Sequence, residues 1–89
     1  MAVYLLHFEQ PVYGRSQHYL GFTTNLEQRL AMHRSGHGAR LTAIARKKGI
    51  AWELVYVWED GDKDLERKLK RLGEFKKYCK ICSPEKHTG

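Results

Sequence analysis

The chain has 89 residues, 42% of them hydrophobic, and it carries a formal net charge of +6 with a pI of about 9.5. This length suits one small domain, the apolar content argues against disorder, and the charge favours an anionic partner. No apolar run is long enough for a membrane-spanning helix, and no signal peptide is visible. We therefore expect a cytoplasmic protein that does not span a membrane.

A β-hairpin is predicted at the start of the chain. Residues 2–8 are apolar and rich in β-forming side chains, which is typical of a buried strand. Pro11 and Gly14 mark residues 9–16 as a loop, and residues 17–22 are predicted to return as the second strand.

Two helices are predicted to follow the hairpin. Thr24 and Glu27 have the spacing of a capping box, which predicts that the first helix begins near Asn25. The second helix is predicted over residues 39–48, with Gly49 as its C-cap.

The second half is predicted to contain one strand and one longer helix. Residues 50–58 are predicted as a strand whose alternate side chains share one face: Trp52, Leu54, Tyr56 and Trp58. Asp62 is expected to cap a helix over residues 63–72, which buries its leucines: Leu65, Leu69 and Leu72. The expected fold is α+β, a three-stranded antiparallel sheet flanked by helices in the order β-β-α-α-β-α. Residues 1–80 would form the domain and residues 81–89 a polar tail.

One face of the first predicted helix carries polar side chains where packing residues are expected. Leu26, Arg29, Leu30 and His33 follow i, i+3, i+4, i+7 spacing and so share a face. An arginine and a histidine there, close to tyrosines of the two strands, indicate a site. The alternative is that the tyrosines are ordinary strand aromatics and that Arg29 lays its stem over the core.

The ordered set of these residues resembles the GIY-YIG nuclease superfamily. The signature that names the superfamily is similar to Ala2-Val3-Tyr4 and Tyr19-Leu20-Gly21. The resemblance continues through these further segments: Gly21 to Leu26, Arg29-Leu30-x-x-His33, His37-Gly38-Ala39-Arg40, Trp52 to Tyr56, and Glu66-x-x-x-Lys70. It covers residues 2 to about 72 and is strongest to small stand-alone members and to the catalytic subunit of structure-specific junction resolvases.

The resemblance implies a metal-dependent DNA endonuclease that hydrolyses phosphodiester bonds, with structure selectivity as a further possibility. Tyr4 or Tyr19 would act as general base or position the water, Arg29 would clamp the phosphate, and His33 would bind phosphate or move a proton. Glu66 would be the metal ligand, because a hard carboxylate suits Mg²⁺ or Mn²⁺. Two alternatives stay open: Glu66 and Lys70 as an ordinary helix pair, and a non-catalytic nucleic-acid-binding module that retains the nuclease fold.

The cationic residues are concentrated in two segments, residues 29–48 and residues 63–80. Residues 29–48 hold six lysines and arginines with no acidic residue. The side chains expected to contact DNA phosphates are Arg34, His37, Arg40, Arg46, Lys47, Lys48 and Lys70. A domain of this size has no room for a separate sequence-reading module, so specificity would come from DNA shape, come from a partner protein, or be absent.

The end of the chain carries potential zinc ligands. Cys79-x-x-Cys82 followed by His87 supplies three, with no evident fourth, so reduced thiols are the favoured interpretation. His7 and His18 are expected to point away from Tyr4 and Tyr19, because alternate strand residues face opposite sides.

Overall fold

The structure, a computed structural model, describes residues 1–14, 17–73 and 75–82. Its elements are β1 (Ala2–Phe8), β2 (His18–Thr23), α1 (Leu26–Arg34), α2 (Arg40–Lys48), β3 (Trp52–Glu59), α3 (Lys63–Leu72) and α4 (Phe75–Tyr78). The predicted α+β class and element order are confirmed, and the short α4 falls within residues 74–80, where a short helical turn is expected from the sequence. Most of the predicted tail, including His87, lies outside the described residues. Within those residues, no helix has the length and apolar character needed to cross a membrane.

The strands form one antiparallel sheet in the order β2-β1-β3. The central strand β1 is buried along its whole length, because helices cover both faces of the sheet. On one face Tyr4 and Leu6 pack with Leu30 of α1. On the other face Val3 and Leu5 pack with Leu69 of α3. The alternation of β1 thus gives each helical layer its own set of strand side chains.

The prediction that alternate residues of β3 share one face is wrong. A bulge shifts the register, so that Leu5 pairs with Tyr56 while the next residue of β1 pairs with Leu54. The extra residue, Val55, moves every later side chain to the opposite face. Accordingly, Trp52 and Leu54 pack on the α1 side, whereas Tyr56 and Trp58 pack on the α3 side.

Two details of the helices differ from the prediction. Helix α1 is capped by Asn25, whose side chain accepts a hydrogen bond from the backbone N–H of Gln28, so the Thr24 capping box is wrong. Leu72 is 51% exposed, because α3 ends there and turns away at Gly73. Asp62 caps α3 and Gly49 ends α2 in the left-handed conformation, both as predicted.

Candidate active site

Tyr4 is held in the middle of the sheet by a glycine on the neighbouring strand. Its side chain is fully buried, and its register partner on β2 is Gly21. A Cβ atom at position 21 would overlap the Tyr4 ring. The glycine of the second signature segment therefore provides the space over which the Tyr4 ring lies.

His33 links Tyr4 to α2 through a chain of hydrogen bonds. Its Nε2 lies 2.6 Å from the Tyr4 hydroxyl, and its Nδ1 lies 2.9 Å from Oγ1 of Thr42. The Thr42 hydroxyl donates its only proton to the carbonyl of Ala39 over 3.1 Å, so it accepts from Nδ1–H of His33. The Nε2 atom then carries a lone pair, and Tyr4 donates its proton to it. The network assigns one tautomer to His33.

The loop between α1 and α2 closes on the histidine ring. A Cβ atom at position 38 would overlap His33, so Gly38 allows the backbone to approach this ring closely. Tyr19 and Trp52 contact the ring edge-on, with centroid distances of 5.3 and 6.2 Å. His33 is fully buried, and these contacts fix the orientation of its ring.

Arg29 brings a positive charge to the same place. Its guanidinium interacts with Tyr4 and Tyr19, and the interaction with Tyr4 raises the pKa of Arg29. The arginine therefore stays charged. Its Nε atom is buried and has no hydrogen-bond partner within the described part of the chain. A buried N–H donor without an acceptor is costly, and an anion would satisfy it.

Burial and Arg29 together set the protonation states of the cluster. Burial, and secondarily the Arg29 charge, lowers the pKa of His33 to about 4. Burial raises the pKa of Tyr4 well above its ordinary value, although Arg29 opposes that shift. At neutral pH the cluster is therefore a neutral phenol, a neutral imidazole and a charged guanidinium.

The structure places Glu66 on a different layer from these four residues. Glu66 belongs to α3, which packs against β2 and β1 from the opposite side of the sheet. Its carboxylate lies 3.6 Å from Nζ of Lys70, and its side chain is 22% exposed. The structure thus brings together Tyr4, Tyr19, Arg29 and His33, and it leaves Glu66 at the surface of the helix that packs on the edge strand.

A basic groove lies between the end of α1 and α2. Its cationic lining includes three of the predicted DNA-contacting arginines and lysines, with His37 at one side: Arg40, Arg46 and Lys47. Arg34 lies over the Trp52 ring at 5.2 Å, and Trp52 in turn contacts His33. Lys48 instead donates to the carbonyl of Val12 over 2.9 Å.

Several residues of functional interest were missed by sequence reasoning. Thr42 sits in the apolar stripe of α2, three residues before the buried Ala45, and a hydroxyl at such a position is a signal in itself. On the other face of the sheet, His7 and His18 meet Cys79 and Cys82, with all four potential ligand atoms within 4.8 Å of one another. The hairpin register pairs His7 with His18, which the sequence alone did not specify.

Comparison with known proteins gives a consistent result. The family model described as the GIY-YIG catalytic domain matches residues 1–79. A curated relative, the "UPF0213 protein in ldhD 5'region" of Pediococcus acidilactici, is 42% identical over 38 residues, which make up 43% of this chain and 37% of that protein. The match therefore spans little more than a third of the relative's length. No solved structure gives a significant match to the chain.

Proposed function

This chain belongs to the GIY-YIG catalytic-domain family, and on that premise we propose that it is a metal-dependent DNA endonuclease that hydrolyses phosphodiester bonds. The observation that carries the proposal is a buried proton chain ending at Tyr4, directly beside an arginine with an unsatisfied N–H donor. Such an arrangement suits an anion at Arg29 and a proton acceptor at Tyr4.

Arg29 is proposed to bind the scissile phosphate. Its guanidinium is planar and permanently charged, and its Nε–H is ready to donate to a phosphate oxygen. Because the side chain is already held by Tyr4 and Tyr19, little reorganisation is needed when the phosphate arrives. Arg29 would then stabilise the negative charge that grows on phosphorus-bound oxygens in the transition state.

Tyr4 is proposed to accept the proton of the attacking water. Its hydroxyl donates to Nε2 of His33, and its oxygen would accept a hydrogen bond from the water. As the water oxygen bonds to phosphorus, its proton passes to Tyr4, and the Tyr4 proton passes to Nε2 of His33. Meanwhile the bond from phosphorus to the leaving oxygen breaks, and the leaving oxygen takes a proton from solvent water. Because its pKa is raised, Tyr4 acts as a phenol that relays a proton and does not need to be a preformed phenolate.

A bound phosphate is expected to make His33 a better proton acceptor. The Arg29 charge is one of the two causes that lower the pKa of His33. A phosphate on Arg29 would offset that charge and raise the pKa of His33 toward its ordinary range. The relay would thus become effective only when substrate is in place.

Glu66 is the residue proposed to hold the divalent cation. A single hard carboxylate fits Mg²⁺ or Mn²⁺, which keep several waters and take further oxygen ligands from a phosphate. Although α3 lies on the opposite layer from Arg29, it packs on the edge strand β2 that also carries Tyr19, and from there the bound cation would supply charge compensation for the phosphate and the leaving oxygen. Lys70 neutralises Glu66 in the free protein and would release it to the metal.

DNA is proposed to enter along the basic groove. Arg40, Arg46 and Lys47 line it, and Arg34 extends the cationic surface over Trp52 toward His33. These side chains would contact phosphates and carry no base-reading geometry, so the shape of the DNA would select the substrate. We therefore propose branched DNA as the preferred substrate.

The test is cleavage of supercoiled and branched DNA with and without Mg²⁺ or Mn²⁺. Tyr4→Phe removes only the hydroxyl and should lower the cleavage rate by about 10²–10⁴-fold. Tyr13→Phe is the matched control. Tyr13 is 70% exposed, so the Tyr13→Phe variant should cleave DNA at the rate of the parent protein. Tyr4→Phe cleaving as fast as the control would overturn the assignment of Tyr4.

The metal assignment needs its own comparison. Glu66→Gln keeps the shape of the side chain but removes its charge, and it should abolish the stimulation of cleavage by Mg²⁺. Glu27→Gln, an exposed change on α1, should leave that stimulation intact. Unchanged Mg²⁺ dependence in Glu66→Gln would refute the proposed ligand while leaving the roles of Tyr4 and Arg29 untouched.

The groove also supports a second candidate, a non-catalytic nucleic-acid-binding module. Lysines and arginines along α2 are sufficient for phosphate binding without any proton relay. Salt-sensitive DNA binding with no cleavage of any DNA form, at any metal concentration, would favour the module. The buried relay at His33 favours the nuclease, because binding alone has no use for it.

A further inference from the structure

We propose that His7, His18, Cys79 and Cys82 bind one structural zinc ion on the α3 side of the sheet. The site is distinct from the metal proposed at Glu66, in both its ligands and its location. None of its residues takes part in the proposed cleavage reaction.

The ligand atoms converge on one point. Nδ1 of His7 lies 3.2 Å from Nε2 of His18, 3.4 Å from Sγ of Cys79 and 3.8 Å from Sγ of Cys82. Sγ of Cys82 is also 3.6 Å from Nε2 of His18. One imidazole nitrogen has a single lone pair or a single N–H, so it cannot form hydrogen bonds with three partners at once. Four groups sharing a metal explain the convergence.

The separations match those of a tetrahedral zinc site. Zinc–nitrogen bonds of about 2.0–2.1 Å and zinc–sulfur bonds of about 2.3 Å, at tetrahedral angles, place two nitrogens about 3.4 Å apart and a nitrogen about 3.6 Å from a sulfur. The nitrogen–nitrogen distance here is 3.2 Å, and the nitrogen–sulfur distances are 3.4, 3.6 and 3.8 Å. Four of the six separations thus match the coordination sphere, and the remaining two are no more than 4.8 Å.

The donor atoms select zinc over the cations of nuclease chemistry. Two imidazoles and two thiolates form the S₂N₂ set that tetrahedral zinc prefers, whereas Mg²⁺ takes oxygen ligands. Cys-x-x-Cys is also the usual spacing of a zinc ligand pair. The missing ligands of this motif come from the hairpin rather than from His87.

The fold builds the site from two distant parts of the chain. His7 and His18 are cross-strand partners on β1 and β2, and the cysteines follow α4. Cys79 is fully buried in the core formed with Val3 and Leu5. Zinc would therefore fasten the end of the domain to the hairpin whose opposite face carries Tyr4 and Tyr19.

The first test is the metal content of the purified full chain. After growth with zinc and purification without chelator, elemental analysis should find about one zinc per chain. A thiol reagent should react with the exposed Cys82 only after a strong chelator is added. Zinc-free protein with Cys82 freely reactive, which stays unable to take up added Zn²⁺ against a competing chelator dye, would overturn the proposal. So would an intact mass two daltons low, which indicates a disulfide.

Variants and cobalt substitution identify the ligands. Cys82→Ser and His18→Asn should each weaken Zn²⁺ binding by at least 100-fold, whereas His37→Asn, an exposed histidine elsewhere, should bind as the parent does. Because ligand variants can also fail to fold, Co²⁺ is bound to the unaltered chain, where intense visible bands and a thiolate charge-transfer band are expected. Weak octahedral bands, or undiminished Zn²⁺ affinity in Cys82→Ser, would contradict the site. Neither result depends on DNA cleavage.

Discussion

Thr42 determines which nitrogen of His33 holds the proton. Its hydroxyl donates to Ala39 and accepts from Nδ1–H, so Nε2 is left to receive the Tyr4 proton. Thr42→Val keeps the volume but leaves a buried N–H without an acceptor, which should cost about 1–3 kcal/mol of unfolding free energy. We also expect His33 to change tautomer and cleavage to slow by more than 10-fold.

Nitrogen NMR of His33 separates this positioning role from a purely structural one. The parent and Thr42→Ser should show the Nδ1–H tautomer, whereas Thr42→Val should show Nε2–H or a mixture. Thr42→Ser retains the hydroxyl and should restore most of the cleavage rate. A Thr42→Val protein that keeps the Nδ1–H tautomer would contradict the assigned direction of the proton chain.

His33 should make the stability of the protein depend on pH in the mildly acidic range. Its pKa is about 4 in the folded protein and 6.5 without the protein environment, so the unfolded chain binds more protons between these values. Stability is then greatest above about pH 6.5 and is lost as the pH falls toward 4. The loss attributable to His33 is roughly 3 kcal/mol, from about 1.4 kcal/mol for each pH unit.

Urea unfolding at several pH values measures this contribution. His33→Gln should flatten the dependence between pH 6.5 and 4, while His37→Gln, on an exposed residue, should not change it. An equally steep loss of stability in His33→Gln would show that other groups are responsible.

Sequence alone predicted a site from the residues that a motif marks, and it missed residues that only the fold brings together. Tyr4, Tyr19, Arg29, His33 and Glu66 were predicted as one site, of which the first four lie together and Glu66 lies on the α3 side. Thr42 was missed, because a hydroxyl in the apolar stripe of α2 indicates that a buried partner exists but not which residue it is. His7 and His18 were assigned to the correct side of the sheet. Their pairing with the cysteines depended on how α4 returns to the hairpin, which no local pattern predicts.

At the level of the helices, the start of α1 tests how local signals compete. Asn25 has extended backbone angles and accepts from the N–H of Gln28 over 3.1 Å. Asn25→Ala should therefore cost about 1 kcal/mol of unfolding free energy. Thr24→Ala should change it by less than about 0.5 kcal/mol, because the Thr24 side chain is exposed and lies outside the cap. Chemical unfolding of both variants measures these changes. Equal losses of unfolding free energy would support a capping box at Thr24.

At the level of the strands, β3 shows why faces are harder to predict than elements. Its apolar composition correctly indicated a strand, but strict alternation failed at Val55. A bulge is favoured there because two aromatic side chains, Tyr56 and Trp58, can then pack with Tyr78 on the α3 side. That gain involves α4, which is 16 residues or more further along the chain, and it is not visible in the strand itself.

At the level of the whole molecule, the sheet separates the cluster suited to phosphate from the cluster of zinc ligands, while Glu66, proposed for the nuclease cation, also lies on the α3 side. The α1 side carries hydroxyls, an imidazole and a guanidinium suited to phosphate. The α3 side carries the soft ligands suited to zinc. Both sets depend on β1, where the alternation of side chains sends Tyr4 to one face and His7 to the other. Because both sets of residues lie on the same hairpin, zinc bound on one face would also stabilise the positions of the tyrosines on the other face.

The charge distribution predicts the salt dependence of DNA binding. Counterion release makes log affinity fall linearly with log salt, with a slope of about −0.9 for each phosphate neutralised. Arg40 and Lys47 line the basic groove. Arg40→Ala and Lys47→Ala should therefore each weaken DNA binding and reduce the magnitude of that slope by about 1. Fluorescence anisotropy with labelled duplex and branched DNA, repeated over a series of salt concentrations, measures both effects.

Lys68→Ala is the matched control for the groove variants. Lys68 is exposed on α3, two residues from Glu66 and therefore on the opposite side of that helix, away from both the groove and the proposed metal ligand. The Lys68→Ala substitution removes one positive charge, as Lys47→Ala does. If DNA follows the groove, Lys68→Ala should leave the slope unchanged. Equal reductions of the slope in all three variants would mean that net charge alone governs DNA binding. That result would contradict the proposal that DNA follows the groove toward Arg29.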